Sequence, residues 1–125
     1  MINSVLFYVA GLLPVIWGIA HIIPAKNVVK GFGEISVDNK RILMMEWINE
    51  GLTLIFLGIL IIIITLTGEP GVVIKKTVYF LSASMLIVMS VISLFTGFKV
   101  NFLPYKLCPV IFSVSAILIV LGLIV

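Results

Sequence analysis

Residues 46–66 read EWINEGLTLIFLGILIIIITL: Glu46, Asn49 and Glu50 stand at the head of a run built almost wholly of leucine and isoleucine. About 20 mostly apolar residues are enough to span a bilayer as a helix, so this stretch decides the fold. A charged side chain carried to the centre of a membrane helix costs about 2.5–3.5 kcal/mol on insertion scales. Two acids and an amide at one helix end therefore require partners, and the rest of the chain has to supply them.

Working outward, the apolar character extends along nearly all of the 125 residues, of which 62% are hydrophobic and 10% charged. A soluble domain carries about 25% charge. Four segments reach spanning length, from about Asn3 to Ile23, Asn39 to Leu66, Val72 to Phe98 and Phe102 to Val125. They leave no room for a soluble domain. The predicted fold is all-α, a single integral membrane domain over residues 1–125 arranged as an antiparallel, up-down-up-down bundle of transmembrane helices. The uncharged start Met1-Ile2-Asn3-Ser4 lacks the basic region of a cleaved signal, so the first segment is expected to stay. Pro14 lies inside that segment and is expected to bend it, with a neighbouring helix satisfying the carbonyl that proline leaves free.

The net charge of +3 is too small, and too close to apolar segments, to point to nucleic acid. It reads as topogenic charge and contact with anionic membrane lipid. Lys26, Lys30, Lys40 and Arg41 follow the first segment and Lys99 and Lys106 follow the third, against Lys75 and Lys76 on the opposite side. That bias predicts a plasma-membrane protein with both termini outside and the 24–41 connection in the cytoplasm. The connection carries Val28, Val29, Phe32, Ile35 and Val37, too apolar for a free linker, and reads as an interfacial segment or lid. Ser36 or Asp38 is placed to cap the second helix. Gly68-Glu69-Pro70-Gly71 predicts a tight turn.

Helical spacing places side chains on faces. Gly11, Pro14, Gly18 and His21 share one face of the first segment, and its small residues permit close approach of another helix. Glu46, Asn49, Glu50 and Thr53 share a face of the second. Ser82, Met85, Met89, Ser93 and Thr96 form a weakly polar stripe on the third. Asn101, Tyr105, Cys108, Phe112 and Ser115 share a face of the fourth. In an up-down bundle these faces bring His21, Glu46, Asn49, Glu50, Ser93, Thr96, Asn101, Tyr105 and Cys108 to one end, as a one-sided polar pocket with an apolar floor. Within it, His21 and Glu50 are expected within direct or one-water hydrogen-bonding reach; the competing arrangement pairs His21 with Glu46.

The chemistry of this set is open at the level of sequence. Glu46 and Glu50 near a helix start also suit the helix dipole, and Trp17 and Trp47 suit a membrane interface. His21, Glu46 and Glu50 are conceivable metal ligands, but the Glu-x-x-His repeats of a bundle di-iron site are missing, and no metal is assigned. The single cysteine, Cys108, excludes an internal disulfide. No nucleophile–base triad is present, and no cofactor is specified.

The layout resembles the small four-helix membrane proteins of the DoxX-like group, in which a Gly-containing first helix, a long connection and an acid-opened, Gly/Leu-rich second helix follow one another. The matching pieces are Gly18-x-x-His21 and Glu50-Gly51-Leu52-x-Leu54-x-x-Leu57-Gly58. That resemblance implies an integral membrane protein, in some members associated with quinone or thiol redox partners. The chain is also similar to sterol-isomerase-like bundles, whose acidic pocket residues bind amphipathic ligands. Small multidrug exporters match in length, but their essential glutamate is in helix one, and the first segment here has no acid.

The leading expectation is a module that binds an amphipathic small molecule (a quinone, lipid or sterol-like compound). Its polar end would meet His21, Glu46, Asn49 and Glu50, with Trp17, Trp47, Met89, Ser93, Tyr105 and Cys108 around it. An accessory subunit using the polar face against a membrane protein partner or a second copy is the alternative. A proton-coupled transporter or isomerase-type enzyme using Glu and His as acid and base is the third.

Overall fold

A computed structural model of the chain describes residues 1–67 and 71–125. Its helices are α1 (Ile2–Ile22), α2 (Ala25–Lys30), α3 (Val37–Leu66), α4 (Val72–Phe95) and α5 (Leu103–Ile124), with a 3-10 turn at Gly97–Lys99 before α5. Among the described residues, four helical stretches are long and apolar enough to cross a membrane, and the chain is an all-α, four-helix integral membrane protein. The turn expected at 68–71 falls mostly on residues 68–70, outside the described residues.

Element ends follow local chemistry. The Ser36 hydroxyl accepts the Asn39 backbone N–H at 3.1 Å, an N-cap that starts α3 at Val37 rather than at the expected Asn39. The connection before it is correspondingly shorter and contains α2, whose Ala25 and Val29 are buried; Gly33, at φ 79°, turns the chain between α2 and α3. The third spanning helix ends at Phe95 rather than Phe98, because the chain tightens there into the 3-10 turn.

Lipid tails are as apolar as leucine, so membrane helices associate through small residues, close packing and interhelical hydrogen bonds. The burial pattern follows that rule. Ile16, Phe56, Ile63, Phe80, Val91 and Ile117 face outward, while Ala10, Ser82, Ala83, Ser90, Ser115 and Ala116 are buried. Between them a core of Leu54, Ile61, Leu86, Phe112 and Ile119 fills the middle of the bundle.

Helices α1 and α3 share the most extensive contact. A Cβ on Gly11 would lie 2.8 Å from the Gly58 carbonyl oxygen, and one on Gly51 would lie 2.8 Å from that of Gly18. Gly11 thus faces Gly58 and Gly18 faces Gly51, so the two helices run antiparallel with their backbones touching at two levels. Helix α5 crosses the other side of α1. There the Ser115 hydroxyl donates to the Ala10 carbonyl at 2.6 Å. Ala10 is four residues before Pro14, whose ring nitrogen has no hydrogen to give it, so α5 supplies the missing donor to a continuous α1. Helix α4 packs on α5 through Ser90, whose hydroxyl donates to the Pro109 carbonyl at 3.0 Å and meets the Ser113 hydroxyl at 2.7 Å.

The expected stripe on α4 is shifted. Its buried face is Tyr79, Ser82, Ala83, Leu86 and Ser90, and Met85 is exposed. Met85 and Thr96 of the polar stripe fall outside the buried face, because contact with α5 selects small residues. The sequential neighbours α3 and α4, by contrast, touch only lightly. They meet near the α3–α4 connection, where the Thr65 hydroxyl and Tyr79 hydroxyl are 2.9 Å apart and the Tyr79 ring stacks on Phe7 at 3.9 Å. Toward the opposite end the seam between α3 and α4 stays open.

Candidate functional site

At that opposite end, the C-terminal turns of α1 and α4 meet the N-terminal half of α3 and the first turns of α5. His21, in the last turn of α1, is 3% exposed, because Gly18 one turn earlier lets α3 lie directly against it. Its Nδ1 lies 2.9 Å from the Trp17 backbone carbonyl, one turn back on the same helix. Only an N–H can bond a carbonyl, so Nδ1 carries the proton and Nε2 points inward. Within reach of Nε2 are Glu50 Oε1 at 3.7 Å and Cys108 Sγ at 3.9 Å.

The aromatic groups hold this arrangement. Trp47 stacks on the His21 ring, with centroids 4.8 Å apart, and its indole N–H donates to the His21 backbone carbonyl. Trp17 does two jobs. Its carbonyl holds His21, and its indole N–H donates to Cys108 Sγ at 3.4 Å. The Cys108 thiol in turn reaches the Pro104 carbonyl at 3.5 Å. Tyr105, one turn before Cys108 on α5, sits edge-on to Trp47 at 5.4 Å.

A cavity of about 380 Å³ opens beside this cluster, lined by His21, Glu50, Met89, Ile92, Ser93, Thr96, Gly97, Tyr105 and Cys108. A second cleft of about 470 Å³ runs along the open α3–α4 seam and shares Glu50, Met89 and Tyr105 with the first. Glu46, Trp47, Asn49, Thr53 and Met85 line that second cleft. Glu50 therefore stands where a route from the flank of the bundle meets the cavity.

The structure brings together His21, Glu50, Met89, Ser93, Tyr105 and Cys108 around one space and places Trp17 and Trp47 behind His21. Glu46 and Asn49 are exposed on the seam and take no part in the His21 contacts. A helical step of four carries Glu46 outward along α3 from Glu50, beyond the reach of α1. Asn101 lies in the loop before α5 and is exposed, so it stays out of the cavity. Of the two arrangements open to His21, the one with Glu50 is present.

Ser90, buried at the α4–α5 contact, is the residue that the sequence does not single out. Trp17, expected at the interface or as a pocket wall, and Cys108, expected as lining, contact each other and His21 directly; the place of Cys108 three residues after Tyr105, on one face, is the signal for it. No family model, curated protein or solved structure matches the chain, and the chemistry of the site is read from its own side chains.

Proposed function

We propose that this protein binds an amphipathic small molecule, of the quinone, lipid or sterol-like class, with its polar end at Glu50 and His21 and its apolar body along the α3–α4 seam. The observation that carries this reading is the junction at Glu50. A carboxylate otherwise costly in a membrane stands at the inner end of a lateral cleft with Met85 and Met89 on one wall. Ligand sites are concave and mostly apolar, with a few convergent polar groups, and the cavity has that character. The layout's resemblance to the DoxX-like group, some members of which are associated with quinone or thiol redox partners, would suit a quinone within that class.

Native mass spectrometry of the gently purified protein tests it. One small-molecule adduct per chain is expected, and Ser93→Trp, which fills the cavity from α4, should remove it. A bare chain, or lipid adducts that Ser93→Trp leaves unchanged, counts against the proposal. A stable heteromeric complex in place of the adduct would favour the accessory-subunit reading.

The same proposal sets the site on the cytoplasmic side of the plasma membrane, with both termini outside, on the lysine and arginine bias. A cysteine introduced at exposed Ser36, in a Cys108→Ala background, should react with a membrane-impermeant maleimide only after the membrane is opened. Labelling of intact cells would reverse the orientation.

A further inference from the structure

We infer that His21, Glu50 and Cys108 form a three-ligand site for a divalent metal ion of the zinc class, with its fourth coordination position open to the cavity. This goes beyond the amphiphile reading and does not depend on it.

Three donors from three helices converge. One ligand atom each from His21, Glu50 and Cys108 lies within 4.8 Å of the others. Tetrahedral zinc, with bonds of about 2.0–2.3 Å to nitrogen, oxygen and sulfur, sets its ligand atoms about 3.3–3.6 Å apart. The His21–Glu50 and His21–Cys108 separations, 3.7 and 3.9 Å, need only a few tenths of an ångström of closure. The remaining edge closes by a turn of the Glu50 side chain, which borders open space.

The hydrogen bonds around the cluster leave its donor atoms free for an ion. With Nδ1 turned to the Trp17 carbonyl, Nε2 is the ring nitrogen left to face Glu50 and Cys108. The 3.7 Å between Nε2 and the Glu50 carboxylate is too long for a hydrogen bond and leaves room for a cation between them. Metal-bound histidines characteristically donate their other N–H to a carbonyl or carboxylate, which fixes the tautomer. The His21–Trp17 bond is that contact, and the Trp17 indole N–H on Cys108 Sγ is its counterpart for the sulfur.

Charge and softness select the ion. On binding, the Cys108 thiol releases its proton to solvent, and the thiolate and the Glu50 carboxylate together balance a 2+ ion beside neutral imidazole. The cluster is then uncharged, which suits a low-dielectric site. Thiolate and imidazole together favour zinc over magnesium or calcium, which take oxygen donors. Three protein ligands and one open position is the pattern of a site that holds water or a ligand.

Cobalt(II) is the probe, because a cobalt–thiolate bond adds a charge-transfer band in the near ultraviolet. Chelator-treated full-length protein in detergent, titrated with cobalt(II) alone, should develop that band to a plateau at one ion per chain, and zinc should abolish it. Cys108→Ser should lose the band. Glu50→Gln and His21→Ala should weaken cobalt binding at least about 10-fold, and Trp17→Phe, which keeps the carbonyl but removes the indole N–H, about 10-fold with a shifted band. Glu34→Gln, exposed in the connection before α3, should match wild type. Absence of the band in wild type at saturating cobalt overturns the inference without reference to any variant. So does a band that Cys108→Ser retains. Because no organic ligand enters the titration, failure here leaves the amphiphile proposal to its own test.

Discussion

Gly18→Val is expected to destabilise the detergent-purified protein by about 3 kcal/mol or more, the upper end of the range for overpacking a tight contact. A Cβ at Gly18 falls against the Gly51 carbonyl oxygen and within 2.8 Å of an Ile55 side-chain carbon. The oxygen belongs to the α3 backbone and cannot turn aside, so the helices must part. Parting them separates His21, three residues after Gly18, from Glu50, the residue before Gly51, and the site should fail together with the fold. Gly71→Ala is the control, since a Cβ there meets nothing within 4 Å. Thermal unfolding of the two variants beside wild type decides it. A Gly18→Val protein as stable as Gly71→Ala would mean that α1 and α3 do not approach as described.

Glu50→Gln is expected to weaken binding of a short-chain quinone about 10-fold or more, whereas Glu46→Gln should leave it within about twofold. A hydrogen bond to a charged group contributes about 1.5–3 kcal/mol, and of the two acids Glu50 borders the cavity as well as the seam, whereas Glu46 borders the seam alone. The chain supplies its own reporter. Both of its tryptophans contact His21, Trp17 edge-on at 5.6 Å and Trp47 stacked at 4.8 Å. Quenching of intrinsic fluorescence during a quinone titration therefore reads occupancy without a label. Equal, small effects of the two substitutions would mean that Glu50 does not hold the polar end of the quinone. The experiment also separates the two acids, which share a face of α3 by spacing but differ in depth.

The geometry of Trp17 links these results. One residue orients the imidazole through its backbone carbonyl and the sulfur through its indole, so the donor atoms of α1 and α5 are set relative to each other by a single residue. Side chains locked by such supporting contacts hold donor atoms to the tolerance that coordination needs. Glu50, from α3, is the adjustable member and lies at the mouth of the seam.

Composition and spacing by themselves determined that this is an all-α membrane protein of four spanning helices, because a bilayer leaves a long apolar chain little alternative to the helix. They also determined which end carries the polar groups and that His21 would meet an acid of α3, Glu50 or Glu46, a choice that the fold then made for Glu50. His21 lies on the face of α1 that carries Gly11 and Gly18, and Glu50 precedes Gly51 on α3, so close glycine contacts bring the two to one level. Tertiary structure alone decided the rest. Although α3 and α4 follow one another in sequence, α4 turns its small face, Ser82, Ala83 and Ser90, to α5 and leaves the seam open. Lipid solvates large apolar side chains as well as protein does, so partner choice passes to the small and hydroxyl-bearing residues, whose contacts no periodicity reveals. The same choice brought Cys108 rather than Glu46 to His21: α5 crosses α1 where Ser115 reaches the carbonyl that Pro14 leaves free, and that crossing sets the depth of the thiol.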